Sequence, residues 1–199
     1  MMIKLGILIF SIIFPMNEAF AEEKVMEYTD NQYNFAFQFP SDWKMQKVPP
    51  KGEMGEVRVV VKSHGLTSVM GLVGNLETRI TKEQFNKNPN RDAIVEKMID
   101  YTIEQVYKKS SREMKAKKMI VSERKSIPFD LGIKFYISTL HFVGERETPI
   151  VVSGIHVIPF GKDHLITFLM TTVLDNKGKE KELLTRVFNS FHLIDQKPL

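Results

Sequence analysis

Cysteine is absent from the 199 residues. The chain therefore has no disulfide framework, no thiol nucleophile and no thiolate metal ligand. Tryptophan occurs once, at position 43. Gly/Ser-rich or Pro-rich linker tracts are missing, and no internal repeat is visible. No apolar run approaches the roughly 18 residues that a membrane-spanning helix needs. The formal charge of +4 is a mild excess rather than a strongly one-signed balance. Catalytic signatures are missing as well: there is no G-x-S-x-G elbow, no P-loop, no G-x-G-x-x-G, no H-E-x-x-H and no EF-hand loop.

The amino end carries Lys4, the apolar run from Leu5 to Phe14, and Ala19-Phe20-Ala21 before Glu22-Glu23. A short positive region, an apolar core of about ten residues and an A-x-A site describe a secretory signal, with cleavage expected after Ala21. No cysteine follows the run to accept a lipid. The expected organisation is a signal over 1–21, a loose lead-in over 22–30, one domain over 31–195 and a tail over 196–199. Periplasmic and secreted destinations share this signal.

The domain opens on Tyr33-Asn34-Phe35-Ala36-Phe37-Gln38-Phe39-Pro40-Ser41-Asp42-Trp43. Aromatics at every second position place four rings on one face of a strand, a face that must be buried. Pro40-Ser41-Asp42 supplies turn chemistry, and Trp43 is expected to fold back toward the rings. Residues 44–48 read as the returning partner of this strand, ended by the Pro49-Pro50 and Gly52 to Gly55 loop. Residues 56–62 and 68–80 are rich in β-branched side chains and read as strands, with Gly71 and Gly74 as candidate bulge positions. Thr81 and Gln84 have capping-box spacing, but Asn86 to Asn90 interrupts any helix begun there.

A helix is expected from about residue 90 or 91. Ile94, Val95, Met98, Ile99, Ile103, Val106 and Tyr107 form its apolar stripe. Four strands follow, over 119–125, 132–143, 148–158 and 164–173, joined by connections too short for anything but antiparallel pairing. A second amphipathic helix carries Leu183, Leu184, Val187, Phe188 and Phe191, and the chain exits extended through His192-Leu193-Ile194. The order predicts an α+β domain: about seven or eight strands in a meander-rich antiparallel sheet, with helices on its faces.

An aromatic strand running into Phe39-Pro40-Ser41-Asp42-Trp43, a mid-chain helix, a meander, and a closing helix running into Asn189-Ser190-Phe191-His192-Leu193 together resemble the PsbP-like α/β/α superfamily. That superfamily includes extrinsic photosystem II subunits, a eukaryotic Ran-binding protein and bacterial secreted proteins and lipoproteins. The resemblance spans about 33–194 and implies a non-enzymatic binding or assembly module, with no catalytic residues and no cofactor. Lack of a lipid-acceptor cysteine sets this chain apart from the lipoprotein members.

Residues 108–125 hold Lys108, Lys109, Arg112, Lys115, Lys117, Lys118, Arg124 and Lys125 against only Glu113 and Glu123. This excess is larger than that of the whole chain, so the remainder is slightly acidic. A basic helix end and loop can dock on an acidic protein face or an anionic membrane, and its cations also complement the helix dipole. Lys108, Lys109, Arg112, Lys115, Lys117 and Lys118 are therefore the candidate partner-binding residues. Nucleic acid fits poorly, since the stretch has no interleaved aromatics to stack bases.

The alternative is a small-ligand carrier or weak hydrolase with a pocket near Asp42 and Trp43, a carboxylate beside an indole. Histidines stand at 64, 141, 156, 164 and 192, no two of them four apart on a helix. Across the last hairpin His164 should face about Phe160 and His156 about Phe168, so no shared metal is expected. The scattered methionines are expected to fill gaps in the core rather than bind copper.

Overall fold

In the computed structural model the described residues are 24–48, 56–63, 65, 67–76, 78–145, 147–174 and 179–194. The signal segment, its cleavage site, the 49–55 loop, His64 and the tail lie outside them.

Strand β2 (Phe35–Pro40) turns Phe35, Phe37 and Phe39 to one side, and all three are fully buried. It ends where expected: Pro40 closes the strand, and the Trp43 N–H donates to the Pro40 carbonyl at 3.1 Å, folding the indole back into the aromatic cluster. Its partners differ from expectation. β1 (Val25–Asp30), expected as part of a loose lead-in, is an antiparallel strand on one side of β2. β10 (His192–Leu193) pairs on the other side. Residues 44–47 do not return along β2; as β3 (Lys44–Lys47) they pair with β4 (Glu56–Lys62) of a different sheet. The fold-back at Trp43 redirects the chain out of the first sheet, so the hairpin partner comes from upstream.

Seven strands form the larger sheet, in the order β3, β4, β5 (Ser68–Asn75), β9 (His164–Val173), β8 (Thr148–Pro159), β7 (Gly132–Val143) and β6 (Lys118–Ile127), all antiparallel. The meander β6-β7-β8-β9 follows the sequence reading. The irregularities fall at Val57/Val59 in β4 and at Val121/Glu123 in β6 rather than at the glycines of β5. Gly71 has another purpose: a Cβ there would stand 3.0 Å from Val59 and 3.5 Å from the Phe35 ring.

Both faces of this sheet are covered. On one face lie the three-stranded sheet and α4 (Lys179–Ser190), which packs Leu184, Val187 and Phe188, with Phe191 just beyond its end, against Val59, Val69, Val157 and Phe168. Phe168 touches Phe37 (ring centroids 4.4 Å apart), Phe188 (5.5 Å) and Phe191 (5.5 Å). Ser190 fixes the end of α4 to β2, accepting the Gln38 N–H at 2.8 Å.

The opposite face receives α1 (Lys82–Lys87), α2 (Arg91–Thr102), a π-helical turn (Ile103–Tyr107) and α3 (Lys108–Glu113). α1 has the capping box its sequence indicates, Thr81 with Gln84, and stops at Asn88 before Pro89. Val95, Ile99 and Tyr107 of the second helical segment pack on Ile133, Phe135, Ile137, Val152, Ile158 and Leu169. The π turn swings Tyr107 into the sheet, where Gly154 makes room: a Cβ at 154 would lie 2.5 Å from the Tyr107 hydroxyl.

Because Phe168 joins β2, α4 and the central strand β9, Phe168→Ala should cost about 3–5 kcal/mol of unfolding free energy. The urea midpoint of the variant checks this; a loss under about 1 kcal/mol would mean that the face is not packed as described.

Candidate functional site

The basic stretch folds into a corner. α3 ends in a Schellman arrangement: the Ala116 N–H donates to the Ser111 carbonyl (2.9 Å) and the Lys115 N–H to the Arg112 carbonyl (3.0 Å). Lys115 takes the left-handed position at φ 53°, where glycine is the usual occupant. Lys117 then ties the turn to the sheet through its N–H to the Phe142 carbonyl (2.9 Å), and Lys118 begins β6 with its ammonium 5.9 Å from the Phe142 ring centre.

Acidic neighbours divide the eight cations. Lys108 pairs with Glu104, Arg124 with Asp100 (2.9 Å) and Glu96 (3.7 Å), and Lys125 with Glu123 (3.0 Å). Among the described residues Lys109, Arg112, Lys115, Lys117 and Lys118 have no such partner, and all five are exposed. The unpaired charge thus sits on α3 and the turn after it, while in the second half of β6 Arg124 is neutralised by α2 and Lys125 by Glu123 of the strand itself.

Two cavities flank β6. One, of about 590 Å³, lies on the α4 side; Tyr136, Ser138, Leu140, Val151, Ser153, Met170, Leu184 and Phe188 line it, with Ser122 and Glu123 at the β6 end. Its hydroxyls are tied to one another and to the backbone, Ser138 to Ser153 at 2.8 Å and Ser122 to the Ser138 carbonyl at 3.0 Å. The other, of about 260 Å³, is bounded by Ile103 and by Val121 to Arg124.

Asp42 and Trp43 line neither cavity. Trp43 is 6% exposed and belongs to the core beside Phe39, while Asp42 stands at the exposed turn. The structure therefore forms its larger cavity away from the expected pair, against the face of β7, β8 and β9.

Tyr107 and His156 satisfy each other inside the core, whereas Nδ1 of His141 and Nε2 of His164 are buried without a hydrogen-bond partner among the described residues. Tyr107 donates to the Ile137 carbonyl (3.1 Å), so its oxygen accepts from Nε2–H of His156 (3.0 Å), and Nδ1 accepts from Thr167 (3.1 Å). This assignment makes His156 a neutral Nε2–H tautomer, stacked on Phe135. Burial holds its pKa down to about 3 and pushes the Tyr107 phenol well up. The hairpin register sets His156 opposite Thr167, one residue from the expected Phe168. His141 meets Thr139 at 2.7 Å, and His164 lies edge-on to Tyr33; burial lowers both pKa values. No group of three or more His, Asp or Glu among the described residues has the geometry to hold a metal ion.

One buried ion pair joins the two sheets. Asp30, closing β1, accepts from Tyr28 (3.1 Å), from the N–H groups of Gln32 (3.0 Å) and Tyr33 (3.1 Å), and from Nε of Arg58 (2.9 Å). The β4 irregularity at Val57/Val59 aims Arg58 at this carboxylate. Burial, then the Asp30 charge, raises the Tyr28 phenol to about 12. Sequence reasoning overlooked Asp30 because residues 22–30 read as polar; Tyr28 and Asp30 two apart, followed by Asn31-Gln32, were the available signal.

No described protein family and no curated protein matches the chain by sequence. Solved structures do. The solution structure of cyanobacterial PsbP (CyanoP) from Synechocystis sp. PCC 6803 aligns over 90% of this chain and 99% of its own, with TM-score 0.57 and 17% identity. This chain has the PsbP-like fold. The Saccharomyces cerevisiae Ran-binding protein Mog1p aligns over 87% of this chain and 97% of its own, with TM-score 0.50 and 11% identity. At such identities the likeness concerns the fold. On this fold, the candidate sites of this chain are the basic corner after α3 and the cavities beside β6.

Two measurements probe this site. Lys115→Gly should relieve the left-handed strain and raise stability by about 1 kcal/mol, read as a higher urea midpoint. The buried His156 should also make stability depend on pH. Its folded pKa lies below the unfolded value of about 6.5, so the unfolded chain takes up a proton that the native chain refuses. Its contribution is complete above about 6.5 and is lost toward about 3, at roughly 1.4 kcal/mol per pH unit. Urea titrations at pH 7 and pH 5 should show the fall, and a shallower fall in His156→Gln.

Proposed function

We propose that this chain is an exported, non-enzymatic binding or accessory protein, and that it docks an acidic face of a protein partner through Lys109, Arg112, Lys115, Lys117 and Lys118. The observation that carries this reading is the separation of the cations: α2 and Glu123 neutralise Arg124 and Lys125, while the five around the α3 turn are exposed and form no ion pair among the described residues. A lysine in a glycine position at the centre of that corner holds charge at a cost in backbone strain. The Ran-binding activity in the name of Mog1p supports a protein as the partner for this fold. Export rests on the signal pattern ending at Ala21.

A second reading draws on the 590 Å³ cavity, whose apolar walls and hydroxyl floor suit a small, largely apolar molecule. It makes the chain a carrier; hydrolysis has less support, since no histidine lines that cavity.

The test compares the wild type with a Lys115→Glu, Lys117→Glu, Lys118→Glu variant. Polyglutamate serves as an acidic polypeptide probe and anionic vesicles as a membrane probe, at low and physiological salt. Salt-sensitive binding to polyglutamate, weakened at least about tenfold by the reversal, is expected. Vesicle binding without polyglutamate binding would move the surface to a membrane. Unchanged binding in the variant would remove this corner from the interaction.

A further inference from the structure

Among the described residues β6 is the last strand of the larger sheet and pairs only with β7. It is ten residues long and exposed over almost all of its length, with Ile120 at 37% and Val121 at 38%. The other edge, β3, has only four residues. A short edge offers little to a passing strand, whereas a long one presents a row of unpaired N–H and carbonyl groups.

We infer that β6 is a strand-addition site that takes an extended acidic segment of a partner protein. The inference deepens the proposed function, on which it rests, by naming how the partner engages. An added strand would pair through its backbone and send alternate side chains to the two faces of the sheet. Both faces have a hollow beside β6 to receive them. On the α4 side it is the 590 Å³ cavity with Tyr136, Leu184 and Phe188 over the Ser138–Ser153 floor. On the α2 side it is the 260 Å³ hollow against Ile103 and Val121. Both meet the strand at Ser122 and Glu123, where the β6 irregularity lies.

Charge selects the occupant. Lys115, Lys117 and Lys118 stand at the start of the strand and form no ion pair among the described residues, so an acidic segment gains there. A second copy of β6 carries a net positive charge of its own, Lys118, Arg124 and Lys125 against Glu123, and so gains nothing from Lys115, Lys117 and Lys118, which favours an acidic segment over self-pairing.

The test titrates an eight-residue peptide of alternating Glu and Val into the whole chain, following amide resonances and hydrogen exchange residue by residue. Expected are a dissociation constant of about 1 mM or tighter, shifted amides along β6, and exchange there slowed about tenfold, with β3 unaffected. The same peptide N-methylated at every residue keeps its charge but has no N–H to donate to a ladder from either edge, and should leave β6 unchanged. A Lys/Val peptide should not bind. Equal binding of the N-methylated peptide would overturn strand addition while leaving the basic corner as a binding surface. Equal binding of the Lys/Val peptide would overturn the acidic partner. Absence of any β6 shift at about 1 mM of the Glu/Val peptide would overturn the inference, and the charge-reversal variant would then judge the corner separately.

Discussion

The contact of Phe168 with Phe37, Phe188 and Phe191 holds the architecture together. It brings the middle of the large sheet, the aromatic strand of the small sheet and the closing helix to one point. β2 comes from one end of the chain and β9 and α4 from the other, so this contact joins the two ends of the sequence. Ser190 on the Gln38 backbone and Asp30 with Arg58 set the angle at which the small sheet lies over the large one. With that face occupied at the β4, β5 and β9 end, α4 is left to cover the middle. The cavity over β7 and β8 is what remains open.

Much of this was legible in the residues. Period-two alternation marked β2 and its buried face, the three-and-four spacing marked the helix from Arg91, and short connections forced the β6 to β9 meander. What failed was pairing. Residues 44–48 followed β2 closely enough to suggest a hairpin, but the fold-back at Trp43 sends them to a different sheet. Val25–Asp30 looked too polar to be a strand because only Tyr28 and Asp30 turn inward. Its role depends on Arg58, far along the chain, which no local pattern can indicate. The π turn at Ile103–Tyr107 was likewise invisible, since it answers to the space left by Gly154 in a strand almost fifty residues on.

For the candidate site, the cations were legible but their distribution was not. As a sequence block, residues 108–125 carry one uniform excess; in the fold, Asp100 and Glu96 reach across from α2 and reduce it to the corner after α3. The pairing of Asp42 with Trp43 carried less meaning than its chemistry suggested, because the indole belongs to the core. The interior histidines are held neutral by burial and by Tyr107, Thr167 and Thr139. Interior polar groups therefore serve the packing, and the exposed corner and edge are left as the place for interaction.

Site-specific photo-crosslinking in the cells that make the protein tests that claim most directly, with a photoreactive residue placed in turn at 109, 117 and 120 and, as controls, at 62 and 87. The account predicts discrete adducts from the α3 to β6 positions and none from the control positions on β4 and α1. Adducts concentrated at the controls, with none from 109, 117 or 120, would contradict it.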